Sequence, residues 1–105
     1  MIKIVVSKSC DGCFEALCVK GHAGYAAKGE DIVCSGVSAI VLGGLNAIKE
    51  NSDFEIEVKE GFVEVKALKK ISSNDSVVLE TVTTQLESLA CSYPEYVKLE
   101  RKTSK

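Results

Sequence analysis

Apolar and polar residues alternate in two blocks of the chain and recur at helical spacing in two others. The order of these blocks predicts the fold. Residues 1–21 predict a β-hairpin around Asp11-Gly12, because both central positions of a two-residue type I′ turn need positive φ. That turn pairs Cys10 with Cys13. It sets Val6 against Leu17 and Ile4 against Val19 on one face, with Lys8 opposite Glu15 further along it. Lys3, Ser7, Ala16, Cys18 and Lys20 take the other face. One side is mainly apolar and the other mixed, as in a sheet packed on one side only.

GHAGYAAKGE (21–30) reads as a glycine-rich loop. Asp31 then offers an N-cap side chain, and a helix is expected to run to about Lys49. Ile32, Val33, Val37, Ile40, Val41, Leu45 and Ile48 cover more than one face of it, which predicts burial between layers or against another subunit. Gly36, Gly43 and Gly44 lower helix propensity, so close backbone packing is expected there. FEIEVK (54–59), the turn Glu60-Gly61 and FVEVKA (62–67) form a second hairpin. Ser73, Asn74 and Asp75 supply caps for a second helix, whose apolar face is Val78, Leu79, Val82, Leu86 and Leu89. Pro94 ends that helix. EYVKLER (95–101) is a last short strand, followed by a loose KTSK tail. The order β-β-α-β-β-α-β predicts an α+β fold, an α/β sandwich in which a mixed sheet packs with two helices, as a single domain over residues 1–105.

Composition narrows the classes. At 105 residues and 46% hydrophobic content the chain can bury a core without disulfides or metals. A formal net charge of −2 argues against a protein built to hold nucleic acid, which shows a basic excess. The uncharged run Ile32–Ile48 is short for a membrane span and contains Ser35, Ser38 and Asn46, so a buried helix is the better reading. Five cysteines cannot pair fully within one chain, and MIKIVVSKSCDG lacks the apolar run of a signal peptide. Together these predict free thiols and a cytoplasmic location, with no membrane partner.

Two residues stand out chemically. With Asp31 as N-cap, Cys34 is the third helical residue, where unpaired N–H groups and the positive end of the helix dipole favour a thiolate. His22 is the only histidine and opens the glycine loop, which is long enough to fold back and bring the imidazole to the thiol. By residue type alone, a small core cysteine and a solvent-facing loop histidine explain the same residues.

The surrounding segment favours the catalytic reading. GHAGYAAKGEDIVCSGVS (21–38) resembles the signature of the ribosomal-processing cysteine protease family, Prp: Gly-His-Ala-Gly-Tyr, a variable stretch with a Gly, then Asp-Ile-Val-Cys and a run of small residues with Val-Ser. Ser35 stands where the family usually has Ala, followed by Gly36, so both positions stay small. The resemblance implies a homodimeric cysteine endopeptidase of the bacterial cytoplasm. Its partner is a large-subunit ribosomal protein precursor, from which it removes an N-terminal extension after a short apolar, aromatic-containing stretch.

By that resemblance Cys34 is the nucleophile and His22 the general base and acid of a thioester mechanism needing no cofactor. Backbone N–H groups at the helix start are candidate oxyanion donors. Asp31 either orients His22 as a third member or only caps the helix. Gly21, Gly24 and Gly29 either hinge a lid or meet a need for positive φ. Ser38, one turn after Cys34, either supports the site or bonds a preceding carbonyl. Ala23, Tyr25, Ala26 and Ala27 are expected to form an apolar, mobile groove wall beside His22.

Two other function classes compete. One is a non-catalytic, ribosome-associated protein that binds the same peptides or aids assembly. The other uses Cys10-Asp-Gly-Cys13 as half a zinc site or a redox pair. Against the last, the strand from residue 13 to 21 spans roughly 27 Å at about 3.4 Å per residue, so one metal cannot join both cysteines to His22. Cys91 reads as packing.

Overall fold

The structure, a computed structural model, describes residues 1–27 and 29–104. Five strands, β1 (Ile2–Lys8), β2 (Phe14–Lys20), β3 (Phe54–Lys59), β4 (Phe62–Ala67) and β5 (Val97–Thr103), form one sheet in the order β3-β4-β2-β1-β5. Only β1 and β5 run parallel, which makes the sheet mixed, as the element order predicts. Helix α1 (Ile32–Ala47) joins the two hairpins, and α2 (Ser73–Ser92) leads into β5. Among the described residues no helix is long and apolar enough to cross a membrane.

Strand register explains why both helices lie on one side. Ile4 sits opposite Val19 and Leu99, Val6 opposite Leu17, Leu17 opposite Val65, and Val65 opposite Ile56. Two adjoining rows of alternate residues therefore cross the sheet on a single apolar face. Ile4, Val6, Leu17 and Val65 from that face are fully buried with Val33 of α1 and Leu79 and Leu86 of α2. Lys3, Lys20, Lys66 and Lys98 lie on the other face, exposed. A fully buried aliphatic side chain of this kind stabilises the fold by about 1.5–3 kcal/mol.

The helices run antiparallel, since Gly36 lies against Leu89 and Gly44 against Val82. A Cβ on Gly44 would overlap the Val82 side chain, so close approach there needs glycine, as expected. Gly43 differs: it faces open space. At the far end of α1, the fully buried Asp75 accepts the N–H groups of Lys49 (2.9 Å) and Glu50 (3.0 Å). Burial works against its charge, but these bonds and those from Asn74 and Ser72 prevail and hold its carboxyl below the ordinary range. The cap of α2 is Ser72, one residue before the expected cluster, and Asp75 is the third helical residue of that cap.

Three details depart from the pattern-based reading. The first hairpin keeps the expected register only as far as Ser7. A bulge then places Phe14, not Glu15, opposite Lys8, because Phe14 turns inward onto Phe54. Its turn has positive φ at Gly12 alone and closes through Gly12 N–H to the Ser9 carbonyl, so Cys10 and Cys13 are not a strand pair. Lys8 instead meets Glu80 of α2 at 2.6 Å. The tail is not loose either. Lys102 and Thr103 pair with β1, and Ser104 donates its N–H to the Lys8 carbonyl and its hydroxyl to Glu15. Lys105 lies outside the described residues.

Candidate active site

The site is built around the start of α1. Asp31, nearly buried, caps the helix in extended backbone, and its Oδ1 accepts the N–H groups of Val33 (3.0 Å) and Cys34 (2.9 Å). Its Oδ2 accepts Tyr25 N–H at 3.0 Å and Ala26 N–H at 3.5 Å. The Cys34 N–H is the chief reason the Asp31 carboxyl lies below its ordinary range, against burial, with Tyr25 and Ala26 adding to it. One side chain thus joins the nucleophile helix to the loop that follows His22. Because Val33 and Cys34 give their N–H groups to Asp31, and Ser35 gives its own to the Asp31 carbonyl, these amides are already engaged. They are not the open oxyanion donors that the helix start suggested.

Cys34 is half-buried, and the Ala23 N–H donates to its Sγ at 3.2 Å. His22 enters from the end of β2. Gly21, with φ +98°, gives its N–H to the Gly61 carbonyl at 2.9 Å, and a side chain at Gly21 would strike the Met1 carbonyl. The imidazole then lies over Gly61 at the tip of the β3–β4 hairpin.

His22, Cys34, Ser38 and Glu60 border two adjoining cavities at once. The first, about 230 Å³, is an apolar cleft between α1 and the second hairpin, walled by Val19, Val37, Leu42, Val58 and Val63. The second, about 460 Å³, lies under the glycine loop and is bordered by Gly24, Ala26, Gly29 and Asp31. Gly24 and Gly29 have positive φ and open space where a side chain would point. A peptide passing from one cavity to the other crosses the thiol and the imidazole.

The expected groove wall is mostly elsewhere. Ala23 is buried, and the Tyr25 ring stands edge-on to Tyr93 (5.8 Å between centroids) and Tyr96 (5.2 Å), fastening the loop to the corner between α2 and β5. Ala26 does border the loop cavity. The apolar wall comes from β2, α1 and the second hairpin, segments far apart in sequence. Glu60 and Gly61 read as a turn signal only, and nothing in the local pattern marks them as neighbours of His22.

All five cysteines are free thiols, with Cys10 and Cys91 exposed. Among the described residues no group of three or more His, Cys, Asp or Glu side chains is placed to hold a metal ion.

Comparison with known proteins bears on this geometry. The family model described as cysteine protease Prp matches residues 1–98. The chain belongs to the cysteine protease Prp family. The ribosomal processing cysteine protease Prp of Mycoplasma genitalium is 38% identical over 100 residues, covering 92% of each chain. The Staphylococcus aureus protein of the same name is 26% identical over 106 residues, covering 97% of this chain and all of the relative. The crystal structure of the S. aureus ribosomal processing protease Prp with a covalently linked product peptide superposes with a TM-score of 0.89 at 25% identity, covering 97% of this chain and 100% of that one. The Prp family is a family of peptide hydrolases, and the resemblance carried by residues 21–38 extends over nearly the whole chain.

Proposed function

We propose that this chain removes the N-terminal extension of a large-subunit ribosomal protein precursor, using Cys34 and His22 as a catalytic dyad. The observation that carries this reading is the position of both side chains at the junction of the two cavities, with the Ala23 N–H on the sulfur. His22 takes the thiol proton as Sγ attacks the scissile carbonyl carbon. It returns that proton to the leaving amine as the C–N bond breaks. Water then adds to the thioester with His22 as base, and the C–S bond breaks to free the acid and the thiol. The Ala23 amide is the N–H donor on the nucleophilic sulfur, while the helix-start amides serve Asp31.

The apolar cleft suits an aliphatic and aromatic stretch, while close approach of the peptide backbone to Cys34 favours small residues at the cut. Asp31 acts as a positioning residue, holding the Cys34 helix and the Tyr25–Ala26 loop on one carboxylate. Gly24 and Gly29 shape the loop cavity, and Ser38 borders the path of the peptide. The reading includes a cytoplasmic homodimer with no nucleic-acid or membrane partner. Ile32 leaves apolar surface exposed at the start of α1, the surface such a dimer would cover.

The test is to incubate the purified protein with the precursor and read the product mass. The wild type is expected to release the extension. Cys34→Ala and His22→Ala should each lower the rate by about a thousandfold or more, and the double variant should lose little further, since the pair acts as a unit. Normal cleavage by Cys34→Ala would sink the mechanism.

A further inference from the structure

The tip of the second hairpin lies directly under the imidazole. A Cβ built on Gly61 would stand 2.8 Å from His22 Nε2, 3.3 Å from Cε1 and 3.6 Å from Cδ2. A real Cβ does not approach a ring nitrogen that closely, so the ring keeps this place only while residue 61 lacks a side chain. The same residue accepts the N–H of Gly21 at 2.9 Å, which fixes the backbone immediately before His22. Gly61 therefore meets His22 twice, through the backbone leading into it and at the Nε2 edge of its ring.

From these contacts we infer that Gly61 is a positioning residue for His22, a bare α-carbon on which the imidazole rests at the angle that serves Cys34. The inference rests on the dyad reading above and adds the hairpin tip to the machinery. A plain need for positive φ is the competing explanation, since Gly61 has φ +72°. Gly12 separates the two. It has φ +85° in the other hairpin turn, with nothing within 4 Å of its would-be Cβ. A side chain at Gly12 brings the same kind of backbone strain without touching a ring. The charged or titratable groups that border the cavities around the imidazole are Cys34 of α1, Asp31 at its cap, and Lys59 and Glu60 of the hairpin.

The experiment uses the full chain with Gly61→Ala, Gly61→Asn and Gly12→Ala, and His22→Ala as reference. A fluorogenic peptide with an apolar, aromatic-containing stretch before a small residue gives kcat and KM. Iodoacetamide alkylation across pH, with the modified cysteine located by mass spectrometry, gives the Cys34 profile, and thermal unfolding reports the fold. Both Gly61 variants should lose about tenfold or more in kcat with KM changed by less than about threefold, as expected of a misplaced catalytic group. Their Cys34 alkylation profile should move to that of His22→Ala, while Gly12→Ala keeps the wild-type kcat and profile. Asn tolerates positive φ, so Gly61→Asn distinguishes a displaced ring from a strained turn.

A folded Gly61 variant with wild-type kcat and alkylation profile overturns the proposal. So does failure of both Gly61 variants to fold while Gly12→Ala folds, which would make Gly61 a fold residue. Wild-type cleavage and alkylation by His22→Ala would instead remove the dyad reading, a result read from a different variant.

Discussion

Ala23 and Cys34 are joined by an N–H···S bond of 3.2 Å, although eleven positions separate them in sequence. Ala23 directly follows His22, so this bond holds the backbone beside the histidine against the nucleophile. Asp31 repeats the connection two residues further on, through Tyr25 and Ala26. The loop and the helix start thus move together as long as Asp31 is ionised.

That dependence gives a pH prediction. The Asp31 carboxyl is held below its ordinary value in the folded chain, so its contribution to stability is fully present above the unfolded value, near pH 4. It is lost as pH falls through the depressed folded value. Asp75 and Glu87 shift in the same direction and add to the acid sensitivity. Denaturant midpoints measured downward from about pH 6 should fall less steeply for Asp31→Asn than for wild type. At neutral pH the same variant should lose about tenfold or more in kcat through misplacement of the loop. Parallel pH curves for the two proteins would refute the assignment.

Neighbouring glycines in α1 should respond in opposite directions. Gly44→Ala forces a methyl into Val82 and should destabilise by about 1–3 kcal/mol. Gly43→Ala meets open space and should stabilise by about 0.5–1 kcal/mol through helix propensity. Chemical denaturation of the two single variants checks both. Equal effects at the two positions would mean that the helices are not packed as described.

Val58 lies on the wall of the apolar cleft and is 53% exposed, so it is free to meet a substrate side chain. Val58→Asp should raise KM by about tenfold with little change in kcat, because it removes apolar contact without touching the reacting groups. Replacing the aromatic residues of the peptide by Ala should lower kcat/KM by about one to three orders of magnitude with the wild type, and by less with Val58→Asp. Additive losses would place the aromatic side chains elsewhere.

The loop at Cys10 and Cys13 lies at the opposite end of β2 from His22. Cys10→Ser with Cys13→Ser should keep kcat/KM within about threefold, as surface changes away from a site do. Loss of both folding and bound zinc would restore the metal reading. In thiol-labelling experiments the competing sites are the exposed Cys10 and Cys91, whereas burial pushes the Cys18 thiol up.

Features set by local chemistry were legible in the sequence. The second hairpin spans 54–59 and 62–67 as its alternation and Glu60-Gly61 turn require, and Asp31 caps α1 as an acidic residue before an apolar run should. Features set by distant partners were not. Phe14 leaves the simple hairpin register because Phe54, forty residues away, completes its pocket. Lys102 and Thr103 look like tail residues by side chain, but strand pairing uses backbone groups and the edge of β1 needs a partner. The motif brought Cys34 and His22 into view. The cleft beside them was hidden because Val19, Val37 and Val58 become neighbours only once the sheet and helix have formed.

The tyrosine corner has a consequence for the order of assembly. Tyr25, three residues after His22, gains its ring contacts from Tyr93 and Tyr96, and β1 gains its parallel neighbour only from residues 97–103. Such long-range pairings form late and slowly. During synthesis the earlier strands and α1 emerge first, with the thiol already in the chain and the loop beside it held by Asp31 but not yet by the tyrosine rings. The tyrosine anchor is added only once Tyr93 and Tyr96 have been made, so a nascent copy carries its cysteine before its active-site loop gains those ring contacts.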